Sequence, residues 1–392
     1  MTIDELLTRG VAEVIVESEL RAKLQSGRKL RLKQGFDPSR PDMNIGNAVG
    51  LRKLRKFQEL GHDVVLIVGD WTAQIGDPSG KDESRPQLTA EVVRGNARTY
   101  MEQFFRIVDR GRTEVRWQSE WYGEFSLADA FNLAGRFTLA QMLAHETFRK
   151  RYESGSALTI LELMYPMLQA YDSVAIKADC EFGGTDQKFN NLAGRELMAQ
   201  LGMEPQQVLL VPLIPGTDGN AKMGKSLGNT IDIIMPPQEM YGKIMSMADQ
   251  IMPLYFEVLT DVPMEEIHEI RRAMDSGSTN PRDFKMRVAR LIDEEFVGPE
   301  AAREAEAHFV DVFQKRELPE TMPEHTIAGP TPIVDLLVAA GLASSRSDAR
   351  RLIDGGGVRL DGAKIAAHDQ VVVPGDPQTL QVGKRKFARI VS

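Results

Sequence analysis

Three side chains spaced four and then three residues apart could together bind an amino acid. Tyr165, Gln169 and Asp172 occur in YPMLQAYD, and this spacing places them on one face of a helix. A phenol, an amide and a carboxylate offer hydrogen-bond partners to an ammonium group and to a hydroxyl group. An amphipathic helix whose polar side chains face water explains the same pattern, so the spacing alone leaves both interpretations open.

A pair of lysines later in the chain is suited to binding phosphate. Lys222 and Lys225 lie three residues apart in KMGKS, and Gly224 between them indicates a flexible loop. Such a loop can fold over a triphosphate and neutralise the charge that develops on a leaving pyrophosphate. Taken alone, a Lys-rich loop of this kind is more often a solvated surface loop.

The elements that must position these residues indicate an α/β fold. Residues 30–37 (LRLKQGFD) are predicted to form a strand, residues 46–60 an amphipathic helix, and residues 62–70 a buried parallel strand. In such a unit the loop after the first strand and the start of the helix form an anion site, because backbone N–H groups and the helix dipole favour phosphate there. The first half is therefore predicted to be a Rossmann-like parallel-sheet domain that binds a nucleotide.

The remainder of the chain divides by composition. Residues 236–314 have a helical pattern, and four prolines between positions 319 and 332 indicate a linker. A helix, a Ser-rich cap, a basic helix, a Gly-rich turn and short strands are predicted beyond it. We predict a Rossmann-like domain over residues 1–228 with an insertion around 110–150, a small helical domain over 229–318, a linker over 319–331 and an α+β domain over 332–392.

Three distant segments together resemble the bacterial-type tyrosyl-tRNA synthetases, a class I aminoacyl-tRNA synthetase family. They are GFDPSRPDMNIGN (35–47), which resembles the class I signature, KMGKS (222–226), which resembles the mobile KMSKS loop, and the segment from YPMLQAYD to GGTDQKFNNLAGRE (165–196). The resemblance implies a tyrosine–tRNA ligase that forms tyrosyl-adenylate and pyrophosphate from tyrosine and ATP, and then transfers the tyrosyl group to the 3′ end of tRNA(Tyr). It also implies an anticodon-binding role for the helical domain, a homodimer, Mg²⁺ with ATP as a substrate complex, and no tightly bound cofactor or metal.

The resemblance assigns roles to individual residues. Those implied in catalysis through phosphate contacts are Lys222, Lys225, Asn44 and Ser39. Those implied in ATP binding are Gly46, Asn47, Gly184, Asp186, Lys222, Met223, Lys225 and Ser226. Those implied in tyrosine binding are Lys33, Gly35, Asp37, Asp77, Tyr165, Gln169, Asp172 and Gln187. Within the tyrosine-binding group, Asp172 is implied to accept a hydrogen bond from the phenolic hydroxyl of the substrate. Its ammonium group is implied to be held by Tyr165, Gln169 and Asp77.

Three positions depart from the family pattern. Asn44 and Asn47 replace the two histidines of the class I signature, and Lys33 stands where many members have a tyrosine. The amide of an asparagine still offers N–H donors, although it is shorter than an imidazole and never charged. A catalytically weak paralogue that binds RNA or tyrosine in a regulatory role therefore stays an alternative, and a tryptophan-specific relative is a lesser one.

The C-terminal segment LASSRSDARRLIDGGGVRLDG resembles a small RNA-binding domain also found in a ribosomal small-subunit protein. From residue 332 onward nine Lys and Arg face six Asp, although the whole chain has a net charge of −8. A helix that displays Arg346, Arg350 and Arg351 would contact RNA phosphates and recognise helical shape. The alternative is an ordinary basic surface.

The bulk composition is that of a soluble globular protein, with 392 residues, 42% hydrophobic and 27% charged. The negative net charge argues against indiscriminate coating of nucleic acid. No apolar run approaches the length of a membrane span, and the first residues lack the pattern of a secretory signal, so a cytoplasmic location is expected. The single cysteine, Cys180, precludes an internal disulfide and is expected to be buried.

Overall fold

The computed structural model describes residues 2–79, 88–224, 227–314, 322–383 and 386–391. The chain falls into two compact units, Met1–Ala305 and Glu306–Ser392. The domain limits predicted at residues 228, 318 and 331 stay predictions, and residues 319–321 of the predicted linker lie outside the described residues.

A largely parallel sheet organises the first unit. Within the described residues it has six strands in the order β1-β6-β5-β2-β3-β4. The strands are β1 (Glu13–Ile15), β2 (Arg31–Phe36), β3 (Asp63–Val68), β4 (Thr113–Trp117), β5 (Cys180–Gly184) and β6 (Gln207–Val211). β2 pairs in parallel with both β3 and β5, whereas the edge strand β1 pairs antiparallel with β6. The predicted Rossmann-like sheet is therefore confirmed.

The strand–loop–helix–strand unit predicted near the start of this sheet is present. The apolar run of β3 is buried from Val64 to Val68, as expected for a parallel strand covered on both faces. The helix that follows β2 spans Ile45–Glu59, and it begins one residue earlier than predicted because Asn44 caps it. Its apolar side chains, among them Leu51, Leu54 and Phe57, are fully buried.

Helices surround this sheet and continue beyond it. They are α1 (Ile3–Thr8), α2 (Glu17–Gln25), α3 (Ile45–Glu59), α4 (Thr72–Ile75), α5 (Ala90–Phe104), α6 (Ser119–Tyr122), α7 (Leu127–Ala134), α8 (Leu139–Met142), α9 (Glu146–Glu153), α10 (Ile160–Ile176), α11 (Lys188–Gln200), α12 (Pro237–Met245), α13 (Met252–Leu259), α14 (Met264–Ser276), α15 (Pro281–Val297) and α16 (Pro299–Phe309). The insertion predicted around 110–150 stays a prediction; that range contains β4, which belongs to the central sheet, and the short helices α6 to α8 with most of α9. The helical pattern predicted from residue 236 to 314 is confirmed by α12 to α16 and a π-helical turn at Val310–Gln314.

The second unit is a small α+β fold, as predicted. Its elements are β7 (Glu324–Thr326), β8 (Thr331–Pro332), α17 (Ile333–Ala339), α18 (Arg346–Asp354), β9 (Val358–Leu360), β10 (Ala363–Lys364), β11 (Val371–Val372), β12 (Gln378–Val382) and β13 (Lys386–Val391). Apolar residues of α17, α18 and the strands form one core that includes Leu336, Leu337 and Leu380. Ser345 caps α18 by accepting a hydrogen bond from the N–H of Asp348, so the predicted Ser-rich cap is confirmed.

Two further expectations concern membranes and cysteine. Among the described residues, no helix is both long enough and apolar enough to span a membrane. Cys180 is a free thiol buried in β5, and burial raises its pKa far above the usual range.

Candidate active site

A cleft of about 310 Å³ opens where the parallel strands β2, β3, β5 and β6 end. The chain order reverses between β2 and β5, and such a switch point is where open α/β sheets bind ligands. The cleft brings together most of the residues predicted from the sequence. They are Gly35, Asp37, Ser39, Asn44, Gly46, Asn47, Asp77, Tyr165, Gln169, Asp172, Gly184, Asp186, Gln187, Lys222 and Met223.

Asn44 and Asn47 form a reciprocal cap at the start of α3. The side-chain oxygen of Asn44 accepts hydrogen bonds from the N–H groups of Gly46 at 2.9 Å and Asn47 at 3.3 Å. The side-chain oxygen of Asn47 accepts a hydrogen bond from the N–H of Asn44 at 3.1 Å. Because both oxygens are used as acceptors, each amide turns its NH₂ group away from the helix terminus.

Two glycines keep the cleft open beside this cap. A Cβ at position 46 would lie 2.8 Å from Asn44 Oδ1, and a Cβ at position 184 would lie 2.7 Å from Asp186 Oδ1 and from Leu213 Cδ2. Any larger side chain at either position would displace these neighbours, so close approach requires glycine there.

Asp172 lies on the face of α10 that the sequence predicted, and it lines the cleft. It is 2% exposed, and its carboxylate accepts hydrogen bonds from Gln118 Nε2 at 2.8 Å and Trp121 Nε1 at 3.2 Å. Burial raises the pKa of Asp172 to about 7, against the opposing effects of Lys33 and of the Gln118 hydrogen bond. A carboxylate has about four acceptor sites, so it can accept a further O–H group from a ligand.

Two more carboxylates line the same part of the cleft. The Tyr165 hydroxyl donates to Asp37 Oδ2 at 2.8 Å, and Gln187 Nε2 donates to Asp77 Oδ2 at 2.8 Å. The cleft is therefore acidic on the side of α10, which suits a ligand that carries a cationic group.

The cleft is also lined by Lys222, which forms an ion pair with Asp186. The Lys222 side chain is 60% exposed, so this ion pair is accessible to solvent and contributes little to stability. The N–H of Gly224 donates to Asn229 Oδ1 at 2.8 Å and ties the loop to the following segment. Lys225 and Ser226, also predicted to bind ATP, lie outside the described residues.

Lys33 is the predicted tyrosine-binding residue that does not line the cleft. Its side chain is fully buried in β2 and forms an ion pair with Glu181 of β5 at 2.9 Å. The assignment of Lys33 to tyrosine binding stays a prediction, and in the structure its ammonium group is held by Glu181, by Ser173 Oγ and by the backbone oxygen of Gln169.

Several residues that shape the site are not among those predicted from the sequence. Gln118 holds Asp172 and is itself fixed because its Oε1 accepts hydrogen bonds from the N–H and Oγ1 of Thr72, both at 3.0 Å. Gln118 directly follows β4, so its position at the carboxyl end of a parallel strand was an available signal. Glu181 and Trp121 had no such signal, because their roles depend on contacts between elements distant in sequence.

The predicted RNA-binding arginines lie on α18 of the second unit. All three are exposed. Arg346 forms an ion pair with Asp335 and Arg351 with Asp348, both at 2.6 Å, whereas Arg350 lies one turn beyond Arg346 on the same helix. The helix therefore presents its basic side chains to solvent.

Comparison with known proteins agrees with this geometry. Residues 25–314 match the family described as tRNA synthetases class I (W and Y), and residues 331–377 match the S4 domain. The chain is 53% identical over 391 residues to the tyrosine–tRNA ligase of Dehalococcoides mccartyi strain CBDB1, covering 99% of this chain and 98% of the relative. It is 51% identical over 386 residues to the tyrosine–tRNA ligase of Thermotoga maritima, covering 98% of this chain and 96% of the relative.

Solved structures show the same fold at lower identity. A C-terminally truncated mitochondrial tyrosyl-tRNA synthetase from Aspergillus nidulans matches with a TM-score of 0.67 at 19% identity, covering 79% of this chain and 94% of that chain. The tyrosyl-tRNA synthetase from Archaeoglobus fulgidus, complexed with L-tyrosine, matches with a TM-score of 0.62 at 23% identity, covering 77% and 98%.

The sequence comparisons establish the family. The chain belongs to the class I tRNA synthetases of the tryptophan and tyrosine group and carries an S4 domain. Within that group its identity to curated relatives over nearly its whole length places it among the tyrosine–tRNA ligases.

Proposed function

We propose that this chain activates L-tyrosine with ATP and transfers it to tRNA(Tyr), in the cleft described above. One observation carries the proposal: carboxylates suited to an amino acid, glycines that allow close approach of a nucleotide, and Lys222 all line one cleft. A carboxylate oxygen of tyrosine attacks the α-phosphorus of ATP, the bond between the α- and β-phosphates breaks, and pyrophosphate leaves. A terminal ribose hydroxyl of tRNA then attacks the carbonyl carbon, loses its proton, and releases AMP.

Tyrosine fits the acidic side of the cleft with its hydroxyl toward Asp172 and its ammonium group toward Asp77, Tyr165 and Gln169. The Asp172 carboxylate, held by Gln118 and Trp121, has acceptor sites left for the phenolic hydroxyl. Phenylalanine would leave this buried carboxylate without that partner, and a site built around a hydroxyl rejects such an analogue by roughly 10⁴–10⁵.

ATP fits the part of the cleft lined by Gly46, Gly184 and Lys222. Gly46 and Gly184 allow the nucleotide to approach the backbone, and Asp186 accepts the ribose hydroxyls once Lys222 leaves it for the phosphates. Ser39, Asn44 and Asn47 offer neutral donors to the phosphates. Met223 lines the same cleft, and Lys225 and Ser226 are proposed as further contacts for ATP from the resemblance of KMGKS to the KMSKS motif. Mg²⁺ enters as part of the ATP complex. Because the attacking carboxylate is already ionised at pH 7, positioning and charge stabilisation supply the rate acceleration.

The assembly we propose is a cytoplasmic homodimer that binds tRNA. Leu127, Phe131, Leu139 and Ile160 are between 58% and 76% exposed on α7, α8 and the start of α10. Large apolar side chains exposed in neighbouring short elements are typical of a protein–protein interface, and a two-fold contact would cover them on both copies. Measuring the mass in solution by sedimentation, with Phe131→Glu as the disrupting variant, tests the dimer.

The arginines of α18 are proposed to contact tRNA phosphates.

Tyrosine-dependent exchange of pyrophosphate into ATP, measured for each of the twenty amino acids, tests the function. We expect exchange with tyrosine alone. The same assay on the double variant Asn44→His with Asn47→His distinguishes an active ligase from an inactive paralogue. Exchange that is absent in the natural protein and appears in the double variant would mean that the chain is an inactive paralogue. Exchange with tryptophan in place of tyrosine would refute the substrate assignment.

A further inference from the structure

An ion pair is buried behind the tyrosine half of the cleft. Lys33 of β2 and Glu181 of β5 are direct neighbours in the sheet register, and their side chains are 0% and 1% exposed. Burying two charges costs more in desolvation than most pairs regain by attraction, so a buried pair is weak evidence for a role in stability. The contacts of this pair therefore need another explanation.

Both members of the pair are fully engaged. Lys33 Nζ donates to Glu181 Oε1 at 2.9 Å, to Ser173 Oγ at 2.8 Å and to the backbone oxygen of Gln169 at 2.9 Å. These contacts use all three N–H groups of an ammonium. Glu181 Oε2 accepts from Ser173 Oγ at 3.2 Å and from Gln206 Nε2 at 2.5 Å.

Both members hold Ser173 and Gln169, and of these two residues Gln169 lines the cleft. Lys33 holds its backbone oxygen, and Glu181 Oε1 accepts its side-chain Nε2 at 3.1 Å. An ionised carboxylate only accepts hydrogen bonds, so the amide must turn its NH₂ group toward Glu181. Its oxygen then faces away from Glu181 and is the end left for a ligand. A cationic ammonium group requires an oxygen there, and a rotated amide would oppose it with N–H groups.

We propose that Lys33 and Glu181 are positioning residues that fix the Gln169 amide with its oxygen toward the α-ammonium group of bound tyrosine. This assignment rests on the proposed function, because it requires an amino acid in the cleft. Lys33 then acts on the substrate's ammonium group indirectly: it holds Gln169 in place and does not itself contact the substrate.

The test replaces the pair by uncharged residues of similar size, Lys33→Met with Glu181→Gln, so that no buried charge is left unpaired. Isothermal titration at pH 8 then compares tyrosine with 3-(4-hydroxyphenyl)propionate, which keeps the phenol and carboxylate but lacks the ammonium group. We expect the affinity for tyrosine to fall roughly tenfold, the scale of one hydrogen bond to a charged group, while that of the analogue changes less than about twofold. In a Gln169→Ala background, replacing the pair should have no further effect on tyrosine.

An equal loss for both ligands would show a merely structural role and overturn the assignment, as would an unchanged tyrosine affinity. If the double variant does not fold, Glu181→Asp decides by the same comparison: it keeps the charge beside Lys33 but withdraws the carboxylate from Gln169. The natural protein also separates this inference from the proposed function. A natural protein that binds no tyrosine refutes both, whereas normal tyrosine binding with ligand-independent losses refutes only this one.

Discussion

Replacing Asp172 with Asn tests the origin of specificity with almost no change in shape. The carboxylate accepts from Gln118 through one oxygen and from Trp121 through the other. An amide keeps only one oxygen, so its NH₂ group must face a donor, and the charged acceptor for the ligand hydroxyl is lost. A hydrogen bond to a charged group contributes about 1.5–3 kcal/mol, which predicts that kcat/KM for tyrosine falls roughly 10- to 150-fold.

The assay is pyrophosphate exchange with tyrosine and with phenylalanine, measured side by side. Because phenylalanine has no hydroxyl, its kcat/KM should stay nearly constant, so that the preference for tyrosine narrows by the same factor. Asp70→Asn is a matched control: Asp70 is also buried and accepts the N–H of Ser119 at 3.0 Å, but it does not line the cleft. A variant at position 172 that keeps the natural preference for tyrosine would refute the role of this carboxylate.

The pKa of Asp172 adds a second signature to this experiment. Burial raises it to about 7, so the carboxyl is protonated below that pH and kcat/KM for tyrosine should decline there. The Asp172→Asn variant should lack this decline of kcat/KM at low pH. A raised pKa also means that the folded state holds the proton more tightly than the unfolded state, so this contribution to stability is present below pH 4 and lost as the pH rises through 7. Relative to the natural protein, the variant should gain up to about 4 kcal/mol in unfolding free energy between those limits, measured by denaturant titration.

Three further outcomes are expected. Lys222→Ala should lower the rate of pyrophosphate exchange by about 10²–10³ with little change in tyrosine affinity, whereas Lys188→Ala, which removes an exposed lysine paired with Glu13, should have no effect on either. Ending the chain after residue 314 should leave the rate of pyrophosphate exchange within about twofold of the natural rate. It should weaken tRNA charging on the order of tenfold or more, because the removed residues include the basic helix α18. A large loss of exchange in the folded remainder would contradict this division of roles between the two parts of the chain. Arg350→Ala should reduce the dependence of tRNA affinity on salt by about one unit of log–log slope, and Arg303→Ala on α16, also exposed, should leave it unchanged.

The sequence was most informative where chemistry and local periodicity coincide. The helix face with Tyr165, Gln169 and Asp172, the strand before Asp37 and the loop at Lys222 were all identifiable, because each depends on residues close together along the chain. Such local signals predict which residues line the cleft and which elements carry them.

What could not be predicted depends on contacts across the sheet. Lys33 was expected in the tyrosine pocket from its position in the motif, yet its partner is Glu181 on the adjacent strand, 148 residues later in the chain. Alternation along β2 puts Lys33 and Gly35 on the same face, but it does not show how deep a long side chain lies. Only the register of β2 with β5 shows that the ammonium group is neutralised by Glu181.

Asn44 and Asn47 stand where the resemblance to class I synthetases implies two histidines, and the structure shows what these asparagines do at the start of α3. An asparagine is among the best residues for beginning a helix, and a cap of this kind contributes about 1 kcal/mol relative to alanine. The side-chain oxygen of Asn44 accepts hydrogen bonds from the first free N–H groups of α3, and the side-chain oxygen of Asn47 accepts one from the backbone N–H of Asn44. Both amides are therefore held at the start of α3, where they line the cleft. The NH₂ groups are thereby directed by the cap itself, at the end of the helix where the dipole already favours phosphate. Donors held in place lose little entropy on binding, and this compensates in part for their shorter reach and absent charge. For the ATP binding proposed above, we therefore expect weaker phosphate contacts from these amides than from histidines, but contacts of the same kind, a neutral N–H donated beside a helix N-terminus.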